Sequence, residues 1–517
     1  MAKQVSFGSV LVGTTVAASS DPVDEQSDAP FRILVCASLS GQQRIADKPV
    51  LVDRDNLDDM LVRFRPSLSL AGMHPDGSAV EIQFETLDDF HPDRLYDRLD
   101  MFETLRAMRE RLQNPATFAA AAEELRRLGA GGQEPEAGGR RPEARTEEAA
   151  APSMRGVGEP APISGGELLD QLLDHSEVTQ THGAAARQTS EFQRILAKIA
   201  EPHRIAADDP RKQELIGLVD ALSADRMRAI LHHPEFQTLE SAWRGVHFLT
   251  RRVETDANLK IYLLDCSKAA LAGDLEAVAN LRESALYKLL VEQPAGAPPW
   301  TLTIGDFEFS AARGDVETLG RIAQIAAKAG APFLAGASSS ILGCPSIAAA
   351  PDPDDWPEPN EDSAAMWQQL RHLPQATSLG LAAPRFLLRL PYGSEASPLE
   401  RFEFEEISAA RHEDYLWGNP ALACAWLLAQ TFSETGWNME GRLYRDLAEL
   451  PVHLYDDDGQ PRMKPCAEAV LLDRAVERIL DFGIMPLQSF ADRGAIRLVR
   501  LQSLADPSAA LAGRWHS

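Results

Sequence analysis

The residues best suited to acid–base chemistry lie close together between positions 405 and 414. Glu405 and Glu406 are followed by the run Arg-His-Glu-Asp at Arg411–Asp414. Carboxyl groups and a histidine act as general acid and base when a pocket sets their pKa values apart. This run, however, separates an apolar strand from the motif Tyr-Leu-Trp-Gly-Asn, which begins at Tyr415. The pattern favours a polar structural loop, and we expect no enzyme activity.

The remaining motifs predict neither a metal site nor a cofactor. His232 and His233 are adjacent, and neighbouring helical residues point about 100° apart, which hinders joint chelation. Asp456–Asp458 lack the spaced ligands and closing glutamate of a calcium loop. The chain has no Walker-type phosphate loop, and Gly336–Ser340 (Gly-Ala-Ser-Ser-Ser) lacks the second glycine of a nucleophile elbow.

The composition is that of a globular protein with little affinity for nucleic acid or membranes. The 517 residues carry a formal net charge of -26, which disfavours phosphate backbones and anionic lipids. The five cysteines are scattered without a CxxC pair, as expected for reduced thiols. No apolar stretch approaches the roughly 18 residues of a membrane span, and the N-terminus lacks the apolar core of a signal peptide. We therefore expect a cytoplasmic location.

The elements that position these residues alternate between helix and strand. The chain is organised around His232–Asp265, where apolar residues at steps of three and four predict a helix that leads into a strand. Glu240 and Arg244 lie off this apolar stripe. Further along, the alternation continues with a strand at Trp300–Ile304, a turn at Gly305–Phe307, a helix at Val316–Ala329 and a strand at Pro332–Ala335. This order predicts an α/β (α+β) fold with mixed sheets flanked by helices.

Two parts of the chain resemble subunits of one known assembly. His-His-Pro-Glu-Phe-Gln at His232–Gln237 is followed by Trp-Arg-Gly at Trp243–Gly245 and Asp-Cys-Ser-Lys at Asp265–Lys268. This order resembles the large subunit of the contractile sheath of type VI secretion systems. Other stretches resemble the small sheath subunit, and they are Ile33–Gly41, Lys48–Leu61, Ile82–Leu95 and Leu105–Pro115. The resemblance implies a phage tail-sheath-like fold in which two modules are fused.

The resemblance and the composition divide the chain into five parts. We expect a flexible arm at 1–29, a small-subunit-like module at 30–128, a disordered linker at 129–166, N-terminal helices at 167–200 and a large-subunit-like core at 201–517. The arm has a candidate pairing strand around Val5 and Val10–Val12. The small module contains a predicted strand at Phe31–Cys36 and one long predicted helix at His91–Gln113. The linker is rich in Gly, Pro, Ala and Glu and has too few large apolar residues to fold alone.

A short leucine-rich helix is expected directly after the linker. Ser164 and Glu167 form a candidate capping box. The apolar face of this helix consists of Leu168, Leu169, Leu172 and Leu173. A helix of this length is marginal alone and needs a groove to bind. The resemblance implies that a recycling AAA+ unfoldase grips it, and the alternative is a helix that packs on its own domain.

The resemblance implies a structural protein, a sheath subunit with both subunit types on one polypeptide. The partners it implies are other sheath subunits or copies of itself, inner-tube and baseplate proteins, and the unfoldase. In this family, strands extended into neighbouring subunits complete each sheet, and tighter repacking releases stored energy. The large module is expected to lack the family's C-terminal part, which leaves a non-polymerising adaptor or assembly regulator as an alternative. An enzyme is the third possibility and would require Glu405, His412 and Asp414 to converge in a pocket.

Overall fold

The computed structural model describes residues 5, 7–8, 29–74, 77–130, 211–293, 298–407, 411–457 and 459–516. Most of the expected linker and the expected helices at 167–200 lie outside these ranges. Leu168, Leu169, Leu172 and Leu173 are therefore not described. Residues 129 and 130 of the expected linker belong to a helix that spans Phe118–Ala130.

Helices make up most of the layers that flank the sheet. In the described part of the small module they are α1 (Leu57–Phe64), α2 (Pro92–Arg98), α3 (Glu103–Gln113) and α4 (Phe118–Ala130). Beyond residue 210 the helices of nine or more residues are α5 (Arg211–Leu231), α6 (Pro234–Arg252), α7 (Lys268–Ala277), α8 (Arg313–Ala329), α9 (Glu361–Arg371), α10 (Pro420–Thr435) and α11 (Asp473–Asp481). Of the helices described, none is long and apolar enough to cross a bilayer.

The strands come from both halves of the chain. The small module contributes β1 (Phe31–Ala37), β2 (Val50–Val52), β3 (Ser67–Leu70) and β4 (Val80–Gln83). The large module contributes β5 (Leu259–Asp265), β6 (Leu302–Phe309), β7 (Phe333–Ala337), β8 (Leu379–Ala383), β9 (Phe386–Leu387), β10 (Trp417–Gly418), β11 (Asp446–Leu447), β12 (His453–Asp457), β13 (Gln460–Lys464), β14 (Ile484–Ser489) and β15 (Ile496–Leu498).

Nine of these strands form one mixed sheet in the order β11-β15-β14-β8-β7-β6-β1-β5-β2. The six strands from β14 to β5 in this order run parallel, and antiparallel strands close both ends. Three small two-stranded sheets, β3–β4, β9–β10 and β12–β13, accompany it. The mixed α/β fold predicted from the sequence is confirmed.

Each face of the sheet is covered by its own hydrophobic core. One core joins the sheet to α6, α10 and the helices of the small module, and the other joins it to α7, α8, α9 and α11. Strands that are covered on both faces carry apolar side chains at successive positions. β1 shows this clearly, because all seven of its residues are buried and all but Arg32 are apolar.

The unit of α6 and β5 forms as its sequence pattern predicts. His233 caps the start of α6, where its side chain accepts a hydrogen bond from the Glu235 amide, and Pro234 occupies the first turn. Trp243 and Val246 on the apolar stripe are fully buried. The helix ends at Val253, which adopts an extended conformation and leads the chain towards β5.

Two local predictions are wrong. The single helix expected at His91–Gln113 is broken at Leu99, whose backbone is extended, and α2 and α3 flank the break. The break is stabilised by Arg106, which donates to the carbonyl oxygens of Tyr96 and Leu99. The turn expected at Gly305–Phe307 lies inside β6, where the pairing with β7 shifts register between Ile304 and Glu308.

Phe7 and Gly8 of the N-terminal arm contact α8, and the described residues of the arm are not part of a strand. Val5 is buried within one core, and the Gln324 side chain donates to the carbonyl oxygen of Phe7 at 2.7 Å. Gly320 allows the ring of Phe7 to approach, because a Cβ there would lie 2.0 Å from that ring. The strand expected around Val10–Val12 lies outside the described residues.

Candidate functional site

The site with the most extensive contacts between the two modules is the slot that β1 occupies. β1 pairs in parallel with β5 over seven residues, from Phe31 opposite Leu259 to Ala37 opposite Asp265. On its other side it pairs with β6, from Ile33 opposite Leu302 to Cys36 opposite Gly305. A strand of the small module therefore lies between two strands of the large module, and neither module's part of this sheet is continuous without the other.

Aromatic rings close the start of β1. The ring of Phe31 lies 4.9 Å from the ring of Phe432, 5.8 Å from Trp437 and 6.5 Å from Trp515. The indole of Trp437 also donates a hydrogen bond to the Ala29 carbonyl at 2.9 Å. Each fully buried side chain of this size stabilises the joint by about 1.5–3 kcal/mol. Residues near the end of the described chain thus help to hold the small-module strand.

A buried carboxylate anchors the end of β1. Asp265 Oδ1 accepts hydrogen bonds from the amides of Leu39 at 2.9 Å and Ser40 at 3.0 Å. Its other oxygen lies 2.8 Å from Arg44 Nε. The Trp243 indole donates to the Leu39 carbonyl at 2.9 Å. The Asp-Cys-Ser-Lys and Trp-Arg-Gly motifs therefore both hold the turn that follows β1.

Helices provide a second contact between the modules. Arg109 of α3 forms a two-point ion pair with Asp220 of α5, at 2.6 and 3.2 Å. The Asp220 side chain is only 6% exposed, so this pair is screened little by solvent. Lys212 donates to the Gln113 carbonyl, and Arg401 pairs with Asp97. The modules thus join along helices as well as within the sheet.

Of the charged residues considered for catalysis, Glu406 belongs to a buried ionic cluster. We call Glu240, Arg244, Arg389, Tyr392 and Glu406 the Arg389 cluster. Arg389 contacts Glu240 at 2.8 Å and Glu406 at 2.7 Å, and both carboxylates are almost fully buried. Burial acts to raise the pKa of Glu240, but Arg389 and Arg244 lower it below the ordinary value. The cluster fixes charges in place and ties α6 to the segment that follows β9.

Glu405, His412 and Asp414 do not converge. Glu405 accepts from Ser394, and Asp414 pairs with Arg411 at 3.0 Å. His412 Nε2 lies 2.9 Å from Glu468, which also binds Arg385. Burial opposes ionisation of Glu468, yet His412 and Arg385 lower its pKa to about 2. Glu468 is held ionised by its partners, and Glu405, His412 and Asp414 contact three separate partners and not one another.

The two adjacent histidines take separate roles. His233 caps α6, whereas His232 lies 3.4 Å from Asp414 and 3.8 Å from Glu406 beside a cavity of about 420 Å³. Burial lowers the pKa of His232 despite those two carboxylates. Within the ranges the structure describes, no group of three or more His, Cys, Asp or Glu side chains is arranged to hold a metal ion.

Two features of the site escape the sequence patterns. Glu240 lies off the apolar stripe of α6 and yet is 0% exposed, because its arginine partner Arg389 comes from a distant part of the chain. Asp306 lies in an irregular part of β6 and lines a cleft of about 1050 Å³. The only sequence signal for Asp306 is the Gly-Asp-Phe motif, which predicts a turn.

The structure also places two sheet edges at the surface. β2 ends the nine-stranded sheet, and its Leu51 is 42% exposed. The hairpin β12–β13 pairs only with itself among the described strands. Leu454 in this hairpin is 63% exposed and lies opposite Met463. Such edges offer backbone groups and apolar side chains to an added strand.

Comparisons with known proteins match each module separately. Residues 213–505 match the VipB family, described as EvpB/VC_A0108, tail sheath N-terminal domain. Residues 15–128 match the family described as type VI secretion system, VipA, VC_A0107 or Hcp2. A type VI secretion system sheath protein, TssC1 of Pseudomonas aeruginosa, is 34% identical over 307 residues. That alignment covers 57% of this chain and 62% of the relative.

Proposed function

Because the chain belongs to the VipB tail sheath family and carries a VipA-type domain on the same polypeptide, we propose that it is a structural component of a type VI secretion sheath. In this proposal the fused chain acts in the cytoplasm as one complete building block. The observation that carries it is the insertion of β1 between β5 and β6. One polypeptide supplies both halves of the shared sheet, so it needs no separate small subunit to complete that sheet.

We infer that the protein acts through assembly and not through bond chemistry. The charged side chains of the Arg389 cluster are paired and buried, which suits a rigid support. The exposed edges at β2 and at the hairpin β12–β13 are surfaces on which neighbouring copies add strands. Inner-tube and baseplate proteins are further proposed partners of the assembled form.

Electron microscopy of the purified full-length chain tests this function. We expect tubules, because a sheath subunit with both modules should polymerise with itself. Leu454→Asp should abolish tubules in a folded protein, since it places a charge on the hairpin's exposed face. Val62→Asp is the matched control, because Val62 is 57% exposed but lies on the helix α1 and not in a strand. Discrete particles of the unmodified chain would contradict a lattice and favour the adaptor.

The leucine-rich helix remains a proposed binding element for a recycling AAA+ unfoldase. Leu168, Leu169, Leu172 and Leu173 lie on one face if the segment is helical. Capture of the full-length chain by the unfoldase should be lost in the double variant Leu169→Asp and Leu172→Asp. The control Asp170→Asn with Gln171→Ser changes the opposite face and should retain capture. Equal capture of all three proteins would refute the role of this face.

A further inference from the structure

The cleft of about 1050 Å³ lies at the carboxyl ends of parallel strands from both modules. Ser38 follows β1 and Ser267 follows β5, while Asp306 belongs to β6 and Ala337 ends β7; all four line the cleft. In α/β sheets this end of the strands is where ligands bind most often. The cleft is separate from the slot of β1, the Arg389 cluster and the exposed sheet edges.

A β-bulge directs Asp306 into this cleft. Between Ile304 and Glu308 the strand β6 advances four residues while β7 advances only two, from Leu334 to Gly336. Bulges redirect side chains in this way and are common next to binding sites. Asn419 stabilises the bulge, because its side-chain amide donates to the Phe307 carbonyl at 2.9 Å. The irregularity is therefore supported by a dedicated side chain.

The carboxyl group of Asp306 lacks a compensating partner. None of the residues that the structure describes donates a hydrogen bond to it or forms an ion pair with it. The side chain is partly exposed to the cleft, and the protein packed around it raises the pKa of Asp306 to about 6. A desolvated carboxylate without a cation is costly, so this group gains from any cation that enters the cleft.

The charges around Asp306 favour a cationic ligand. Six acidic and three basic side chains line the cleft. Lys268 and Arg385 are already paired, with Asp315 at 2.6 Å and Glu468 at 2.7 Å. Two of the acidic side chains, Asp315 and Glu317, are paired as well, which leaves four acidic side chains and Arg321. Apolar surface from Phe307 and Trp417 lies in the same wall. A cleft of about 1050 Å³ lies at the upper end of the range for small-molecule sites, so it has room for a charged peptide segment.

We propose that the cleft binds a basic segment of a partner protein and that Asp306 receives a lysine or arginine side chain of that segment. The proposal does not depend on assembly into a sheath, because the cleft, the bulge and the carboxylate belong to the single chain. The partner is defined by its chemistry, an exposed peptide with closely spaced positive charges.

Fluorescein-labelled hexalysine is the probe, titrated with the full-length protein in 150 mM NaCl and followed by anisotropy. Asp306→Asn should weaken binding at least tenfold, because it removes the charge that faces the ligand while keeping the side-chain shape. Glu110→Gln removes one negative charge from an exposed position of α3 and should change the affinity by less than twofold. Equal affinities for the unmodified chain and Asp306→Asn would overturn the proposal.

A second pair of variants excludes an effect on folding. Ala312 lines the mouth of the cleft and is exposed, so Ala312→Arg places a positive charge there at little cost to the core. It should weaken hexalysine binding, whereas Ala107→Arg on the exposed face of α3 should not. Spermine tests a free polyamine as the ligand, and competition by spermine at the concentration where hexalysine saturates would overturn the peptide assignment.

Discussion

Arg389 holds two buried carboxylates, Glu240 and Glu406, on one guanidinium group. Each charge in such a cluster has lost its water and depends on its partners. The loss of stability on removing an arginine therefore depends on whether its ion pair is buried. Removal of the shared arginine leaves the buried Glu406 without its arginine partner and Glu240 with Arg244 alone, whereas removal of an arginine at the surface leaves a carboxylate that water solvates.

Arg389→Met should reduce stability by about 3–5 kcal/mol, the range for breaking a buried ion pair from one side. Arg497→Met is the matched control. Arg497 makes a two-point pair with Asp446, but both side chains are about half exposed, at 46% and 45%, so the loss should be at most about 1 kcal/mol. Urea unfolding followed by tryptophan fluorescence compares the two. Similar losses in both variants would contradict the buried role.

Asp306 should make the protein less stable as pH rises, whereas an ion-paired acid with a lowered pKa makes it more stable. Its pKa is raised to about 6 in the folded chain, above the roughly 3.9 of an unfolded aspartate. The folded state therefore binds the proton more tightly, and stability falls as pH rises from about 4 to about 6. Asp306→Asn has no ionisable group there and does not lose this stability. Its free energy of unfolding should therefore exceed that of the unmodified chain by on the order of 2–3 kcal/mol at pH 7. A constant difference in urea unfolding between pH 4 and 8 would contradict this explanation.

Sequence patterns predict whether a residue is buried only when its surroundings are set by nearby positions in the chain. The apolar stripe correctly marks Trp243 and Val246 as core residues, because helical period decides their burial. The same period predicts that Glu240 lies at the surface, because the arginine that pairs with it, Arg389, is 149 positions away. Asp306 reads as part of a turn, because the register shift that creates the bulge depends on pairing with β7.

Among the elements, β1 is the one on which both modules depend. Its alternate residues enter different cores: Ile33 and Val35 pack on the side of α10, and Leu34 and Cys36 on the side of α8. Its one charged residue, Arg32, lies over the ring of Trp300 at 4.0 Å, and an unpaired charge at the apolar positions of such a strand is costly.

Leu34→Asp should prevent the two modules from joining, because it buries an unpaired carboxylate at a site with 0% exposure. Leu51→Asp in β2 is the matched control, since Leu51 is 42% exposed and can present the charge to water. Thermal unfolding followed by circular dichroism should show a large destabilisation for Leu34→Asp and a small one for Leu51→Asp. Equal melting temperatures would contradict the inserted position of β1.

The elements with strong local signals could be predicted, and those shaped by distant contacts could not. Helix α8 ends at Gly330, which has a positive φ of 66°, as the sequence pattern indicates. The break between α2 and α3 could not be predicted, because the intervening residues are mainly apolar or good helix formers. The break is stabilised by the side chain of Arg106, which reaches back to free carbonyl groups.

For the whole molecule, the paired β1 predicts that the two modules stay together without the peptide between them. A protease site inserted between Ala150 and Ala151 allows cleavage after purification. The two fragments should co-elute in size-exclusion chromatography, held by the strand pairing and by Arg109 with Asp220. The same cleavage in Leu34→Asp should release them. Separate elution from the cleaved, otherwise unmodified chain would contradict a joint fold.

Insertion of β1 also imposes an order on biosynthesis. Leu39 and its hydrogen-bond acceptor Asp265 are 226 positions apart. At the usual 5–20 residues per second, a ribosome needs roughly 10–45 s to cover that distance. Throughout this interval the nascent small module carries a strand whose apolar residues on both faces still lack their partners in the large module. The fusion makes the pairing of β1 with β5 and β6 an intramolecular step, because all three strands belong to one polypeptide.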